Sequence, residues 1–336
     1  AGDVNGDCFA DLIIGVPFTT TGTAYVVFGR AQDEPWDSAL YLSDVNETNG
    51  FRIDGVNDFD ELGDSVSRAG DINGDGIDDL VIGATLAGTS GAYAGAAYVV
   101  FGKLGDPTHP LDLSTLDGGN GFTIVGVTQG DSVGFSVSAA GDINGDSIDD
   151  LIIGAPNADP NGNDSGASYV VFGKQQGQGW PETVALAELA GSDGFAIYGT
   201  SAGDESGSSV ASAGDINADG VSDVLIGAPL ADPFGEASGA SYVVFGKQQG
   251  QAWSSTLALS NLDGTNGFRI NGVSTGDRSG ASVCAAGDVN VDGKADFLVG
   301  APLADPNGAN SGAAYVVYDA TASSLSLIHI SEPTRL

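Results

Sequence analysis

Short apolar runs of β type, bounded by Gly, Asn, Asp or Pro, recur along most of the chain. Between Phe135 and Tyr198 four follow one another. Phe135 to Ala140 is small and alternating, and Leu151 to Ala155 is continuously apolar, as suits a strand covered on both faces. Ser168 to Phe172 and Phe195 to Tyr198 complete the set, the last bounded by Gly194 and Gly199. An acidic stretch precedes the second run each time, as in Ala69-Gly-Asp-Ile-Asn-Gly-Asp-Gly-Ile-Asp-Asp-Leu-Val-Ile-Gly83. Further copies occupy residues 1–15, 140–154, 213–227 and 286–300. Their first aspartates (Asp3, Asp71, Asp142, Asp215, Asp288) lie 68, 71, 73 and 73 residues apart. A fixed period means one supersecondary unit used repeatedly.

Numbered from its first aspartate, each loop offers carboxylates at positions 1, 5 and 9, an asparagine at 3 and a main-chain carbonyl at 7. The first copy supplies Asp3, Asn5, Asp7, Phe9 and Asp11, and the second Asp71, Asn73, Asp75, Ile77 and Asp79. The third supplies Asp142, Asn144, Asp146, Ile148 and Asp150, and the fourth Asp215, Asn217, Asp219, Val221 and Asp223. The fifth supplies Asp288, Asn290, Asp292, Lys294 and Asp296. Alternate positions of a tightly curled loop turn their oxygens toward one centre. A hard-oxygen cage without Cys or His at its ligating positions suits Ca²⁺ rather than zinc, copper or Mg²⁺, so up to five calcium ions are expected.

The same residue types also make plain polar turns, but here every carboxylate recurs in five copies. The pattern overlaps the start of an EF-hand. Position 12, however, is Ile14, Ile82, Ile153, Ile226 or Val299 in place of Glu, and β-branched residues follow, which predicts a strand-loop-strand hairpin. Position 6 is Gly76, Gly220 and Gly293 in three loops but Cys8 and Ser147 in the others, where a left-handed backbone costs a non-Gly residue about 1 kcal/mol. Position 4 is Ala218 and Val291 in the last two loops, which are expected to bind more weakly.

The unit Gly134-Phe-Ser-Val-Ser, Gly141-Asp-Ile-Asn-Gly-Asp, Asp150-Leu-Ile-Ile-Gly-Ala-Pro156 and Gly166-Ala-Ser-Tyr-Val-Val-Phe-Gly173 resembles the FG-GAP repeat of integrin alpha-subunit β-propellers and their bacterial relatives. The resemblance runs from Ala1 to about Ala320. It implies an all-β fold, a β-propeller of four-stranded antiparallel blades in which the metal loop joins the first two strands on the lower face. Blades then fall at about 1–56, 57–127, 128–200, 201–273 and 274–320, three complete and two partial. The first repeat has no run before its loop and the fifth ends at Tyr315-Val-Val-Tyr318, which makes 18 strands. That is fewer than a seven-bladed ring requires, so the chain reads as a fragment of one. A closed five-bladed ring is the alternative and would need Leu325 to Ile330 as a substitute strand. The tail, 321–336, matches no repeat and is set outside the fold as unstructured or extraneous.

The chain carries 45 acidic and 10 basic residues, a net charge of −35. Five calcium ions against the 15 aspartates of the loops would still leave −25. Such a surface excludes nucleic acid and anionic membranes as partners. No apolar stretch reaches membrane-spanning length, so no insertion is expected. Cys8 and Cys284 fall in different repeats and read as small buried or loop residues rather than a disulfide. No leader segment is recognisable, and the chain begins inside a repeat, so its true beginning is expected to lie upstream. Of the two histidines, His109 adjoins Pro110 in a connecting loop and His329 lies in the tail. No nucleophile, base and oxyanion set can be assembled, and enzymatic activity is not expected.

Two sets of loops offer contact surfaces, and the resemblance places both on the upper face, opposite the metals. Residues 159–164, 232–236 and 305–310 join second to third strands. Residues 57–61, 129–132, 202–206 and 276–279 join one blade to the next. Trp36, Trp180 and Trp253 recur before the fourth strand and are expected to pack between blades rather than stack on carbohydrate. The reading is a calcium-binding extracellular module, secreted or on a bacterial cell surface, that takes a protein or glycan ligand in adhesion or matrix contact. The alternative is a non-catalytic accessory propeller of a larger secreted enzyme, such as a phospholipase D that cleaves glycosylphosphatidylinositol anchors.

Overall fold

The apolar runs become strands within a residue or two of where the sequence places them. The computed structural model describes residues 1–31, 33–36, 38–88, 93–105 and 111–318, and the backbone of 326–330. The connecting loop expected around His109 and the expectations for 321–325 and 331–336 lie outside the described residues. The chain divides into two compact units, Ala1–Ala139 with Phe172–Glu188, and Ala140–Val171 with Leu189–Leu336. The division falls within β9 (Ser136–Gly141).

The first unit holds two sheets. One runs β1 (Leu12–Val16), β2 (Thr23–Val27), β3 (Gly50–Asp54) and then β7 (Leu111–Asp112). The other runs β4 (Leu62–Gly70), β5 (Asp79–Ala84), β6 (Ala96–Val100), β8 (Gly121–Val125) and then β12 (Thr183–Ala185). The second unit repeats the plan. Its sheets run β10 (Asp150–Ala155), β11 (Ala167–Val171), β13 (Gly194–Tyr198) with β17 (Thr256–Ala258); then β14 (Ser209–Gly214), β15 (Asp223–Ala228), β16 (Ala240–Val244), β18 (Gly267–Asn271). Last come β19 (Ser282–Gly287), β20 (Asp296–Ala301), β21 (Ala313–Tyr318) and β22 (Ser326–Ile330). Within each repeat, neighbours pair antiparallel, with Leu225 opposite Val243 and Tyr242 opposite Arg269 in one case. These are propeller blades. The continuous apolar runs of β5, β10 and β15 are buried at every position, as a strand covered on both faces must be.

The short strands β7, β12 and β17 were not legible in the sequence. Each comes from the long connection of one repeat and adds in parallel to the outer strand of the repeat before it, as Thr183 does opposite Thr123 and Thr256 opposite Ala196. The row of N–H and C=O groups on an outer strand is a pairing hazard, and a borrowed strand covers it. A single 3₁₀ turn follows each one, at Leu113–Thr115, Leu186–Glu188 and Leu259–Asn261.

The exclusion of the tail is corrected over Ser326–Ile330. This segment forms β22 and pairs antiparallel with β21, in the outermost place that the fifth repeat otherwise lacks. An extended apolar segment that follows a free sheet edge satisfies that edge whatever its repeat pattern.

The tryptophans divide. Trp180 is 9% exposed and stacks on Phe122 of the preceding repeat at 4.1 Å and 8°, with Lys174 Nζ 4.4 Å from its ring centroid. Trp253 stacks on Phe195 at 4.1 Å under Lys247. Both are packed between repeats, as expected. Trp36 is 48% exposed beneath Arg30, and among the described residues no ring stacks on it. Its stacking partner in the other repeats comes from the outer strand of an earlier repeat. Cys284 is a further correction, since it is free and exposed on a strand rather than buried or in a loop; Cys8 is free and exposed in its loop.

Burial and stacking together predict that Trp180→Ala costs about 3 kcal/mol in urea unfolding and Trp36→Ala less than about 1 kcal/mol. Equal losses would remove the distinction between them.

Candidate metal loops

A bulge opens three of the loops. In three copies the register of the innermost strand shifts just before its final glycine, at Gly70, Gly214 and Gly287, all with φ near +70°. The left-handed glycine bends the chain out of the sheet and into the acidic turn.

Inside the turn the side chains fold onto the loop's own backbone. In the second loop Asp71 accepts from the N–H of Asp75 (2.9 Å) and of Gly76 (2.8 Å), Asn73 accepts from Asp75 (2.9 Å), and Asp75 accepts from Ile77 (3.0 Å). The same bonds recur around Asp3, Asp142, Asp215 and Asp288. Position 5 likewise binds the N–H of position 7 at Phe9, Ile148, Val221 and Lys294. The asparagines diverge. Asn5 and Asn290 donate to position 5 (Asp7, Asp292), whereas Asn73 and Asn144 donate to position 9 (Asp79, Asp150).

The position 9 aspartates, Asp11, Asp79, Asp150, Asp223 and Asp296, are buried. Each accepts from the N–H of its loop's position 2, that is Val4, Ile72, Ile143, Ile216 and Val289, at 2.9–3.0 Å. The other oxygen of Asp11, Asp79 and Asp223 accepts from Gly29, Gly102 and Gly246, just past the third strand. Burial pushes the carboxyl of Asp79 up to about 8 and that of Asp223 up to about 7, against the pull of those N–H bonds; the nearby carboxylates of positions 1 and 5 push the same way. Asp11 is also raised, chiefly by burial. No cationic side chain figures among the causes.

These loops therefore concentrate negative charge where water is scarce, and a divalent cation would offset it. Among the described residues no three carboxylate, thiol or imidazole groups converge closely enough to hold an ion on their own. A site here must also draw on the Asn oxygens and the position 7 carbonyls, a mixed oxygen set of the kind Ca²⁺ takes. Asp296 supports the fit, because its buried Oδ1 has no hydrogen-bond partner among the described residues.

Position 6 is left-handed as expected, including Cys8 and Ser147 at φ 72°. Position 4 is left-handed too, which went unforeseen: Gly6, Gly74 and Gly145 lie at 70–74°, and Ala218 and Val291 at 60°. A Cβ on Gly145 would stand 2.6 Å from the backbone nitrogen of Gln249, so a covering turn also demands glycine there. Val291 is 86% exposed, and a β-branched residue is poorly suited to this region.

The second-to-third strand loops leave the opposite end of each second strand from the metal loop, and so do the connections between repeats. The two sets lie side by side. Glu205 N–H reaches the carbonyl of Asp164, and Arg278 N–H that of Ala237, both at 3.0 Å. Asp159, Asp232 and Asp305 each accept from a backbone N–H five residues on, so they hold their loops' shape. One aspartate per connection, Asp60, Asp131, Asp204 and Asp277, is buried and accepts from the N–H three residues earlier. Its recurrence at one position in four connections was the signal that reading them only as contact surfaces missed. Asp204 also accepts from Thr200, whose hydroxyl meets that of Tyr242 at 3.0 Å. Tyr98 is pushed up to about 12 by burial and by Asp60.

Replacing Val291 with Gly should raise stability by about 1 kcal/mol, since relief of the left-handed backbone outweighs the added flexibility of the unfolded chain. A thermal melt of the variant beside the parent checks this, and a lowered midpoint would contradict it.

The FG-GAP repeat model matches residues 63–100, 133–171, 206–244 and 279–317. Each match runs from the innermost strand through the acidic loop to the third strand, and the first repeat, which lacks an innermost strand, is unmatched. The chain is 33% identical over 190 residues to integrin alpha pat-2 of Caenorhabditis elegans, covering 56% of this chain and 14% of that protein. It is 28% identical over 184 residues to the phosphatidylinositol-glycan-specific phospholipase D of Dictyostelium discoideum, covering 52% and 19%. Against integrin alpha-V of Gallus gallus the identity is 29% over 270 residues, 79% of this chain and 22% of the other. The chain thus spans less than a quarter of these relatives' length. Four matched repeats, each folded as a blade around its acidic hairpin, make the chain an FG-GAP repeat protein that is similar to integrin alpha subunits.

Proposed function

We propose that this chain is a calcium-stabilised binding module that acts outside the cell or at its surface and performs no catalysis itself. The observation that carries the reading is the row of buried position 9 carboxylates. Asp79 and Asp223 are driven toward protonation by burial, with only N–H groups opposing, in loops whose other oxygens lie close by. In each loop the holders would be the side chains of positions 1, 3, 5 and 9 and the carbonyl of position 7. A bound calcium ion would supply the missing positive charge. The chain's own residues then do the structural work, because position 9 joins the loop to the third strand at Asp11, Asp79 and Asp223, and positions 1 and 5 keep the turn closed.

Partner contact is assigned to the opposite end of the blades, where the hairpin loops and inter-repeat connections lie together. There Phe59 is 72% and Phe234 64% exposed, among acidic neighbours. A protein or glycan ligand fits such a mixed surface, and the integrin alpha relatives support a role in adhesion. Among the described residues no helix is long and apolar enough to cross a membrane. The phospholipase D relative favours a second reading, in which the blades are an accessory part of a larger enzyme.

Addition of a chelator should lower the melting temperature by several degrees, and excess Ca²⁺ should restore it. Identical melts with chelator and with millimolar Ca²⁺ would end the calcium reading.

A further inference from the structure

Successive loops are tied to one another through the backbone. In the second unit the N–H of Ser222, at position 8 of the fourth loop, donates to the carbonyl of Asp142, position 1 of the third loop, at 2.9 Å. The N–H of Ala295, at position 8 of the fifth loop, donates to the carbonyl of Asp215, position 1 of the fourth, at 3.0 Å. In the first unit Asp78 N–H reaches the carbonyl of Asp3 at 3.2 Å, and Asp3 N–H returns to Asp78 Oδ2 at 2.9 Å. Position 8 immediately precedes the buried aspartate of its own loop. One short peptide therefore touches residues that serve two neighbouring loops.

A second bridge runs through a Gly-Lys pair. Gly246 N–H holds Asp223 Oδ1 of the fourth loop at 2.9 Å, and the next N–H, of Lys247, holds the Ile143 carbonyl of the third loop at 2.9 Å. Gly102 and Lys103 do the same for Asp79 of the second loop and Val4 of the first, at 2.8 and 2.9 Å. The turn that begins at Lys247 presses on the third loop closely enough that Gly145 admits no Cβ. Fixing the buried carboxylate of one loop thus fixes the N–H groups that shape the loop before it.

We propose that adjacent loops fill cooperatively, each cation raising the affinity of the neighbouring loop through the position 8 peptide and the Gly-Lys bridge. This rests on the calcium reading above. Linkage requires the effect to be reciprocal: whatever the fourth loop does for the third, the third does for the fourth by the same factor. The weaker ligand geometry expected of the fourth loop, with Ala218 at position 4, is then supported by its neighbour.

The test is amide hydrogen exchange followed by mass spectrometry on the full chain, titrated with Ca²⁺. Peptides covering 140–150 and 213–223 report the third and fourth loops, and those covering 1–11 and 71–79 report folding in the same sample. A D215N/D219N variant removes charge from the fourth loop but keeps oxygen acceptors for its N–H groups, and leaves Asp223 and the bridge in place. The calcium midpoint for protection of the third loop should then rise about five-fold or more. The converse variant, D142N/D146N, should shift the fourth loop by the same factor. A third-loop midpoint that stays within about two-fold while the fourth loop stops responding overturns the coupling alone. Parent loops that gain no protection with calcium overturn the coupling and the calcium reading together.

Discussion

The position 9 carboxylate is the constraint around which each blade is built. In Asp11, Asp79 and Asp223 the two oxygens take N–H groups from two places that are distant in sequence, the start of the acidic turn and the residue past the third strand. Asp79, for instance, accepts from Ile72 and from Gly102. One buried anion thus pins a loop to a strand end, in a site too dry to carry the charge comfortably. A buried carboxylate held by neutral donors alone is costly, and the neighbouring aspartates make it more so. Stability and uncompensated charge therefore meet at one atom group, so the residues proposed to hold a cation are also those that hold the fold.

Contacts between repeats are built from a different chemistry. An outer-strand phenylalanine, a tryptophan borrowed from the next repeat's connection and a lysine over its far face form a layered contact at Phe122, Trp180 and Lys174, and again at Phe195, Trp253 and Lys247. The same connection contributes β12 or β17 to the neighbouring edge. Apolar stacking and strand addition act together, so the edge is covered and the aromatic rings are held by one segment. Trp36 lies beneath Arg30 and is half open.

Backbone strain is distributed unevenly over the loops. Positions 4 and 6 both require a left-handed conformation, which glycine adopts freely and valine does not. The third loop keeps Gly145 at position 4, where Gln249 lies close against it. The fifth has Val291, exposed and strained. The repeats share one fold while differing in how readily each closes.

Much of this was legible in the chain alone. A period of 68 to 73 residues, apolar runs in a fixed order and five acidic loops specify strands, hairpins and the tight turns between them, because these depend on residues close in sequence. The left-handed glycine of the loop follows from the same local logic. Other features depend on what lies against a segment once it has folded, and repeat pattern does not encode that. The parallel strands β7, β12 and β17 exist because another repeat leaves an edge open. Ser326–Ile330 joins a sheet for the same reason, although it matches no repeat. Asp60, Asp131, Asp204 and Asp277 resemble solvent-facing turn residues until the neighbouring loops close over them. Local sequence decides which strand or turn a segment becomes; burial, pairing partner and the cost of a charge are set by neighbours that only the folded chain brings together.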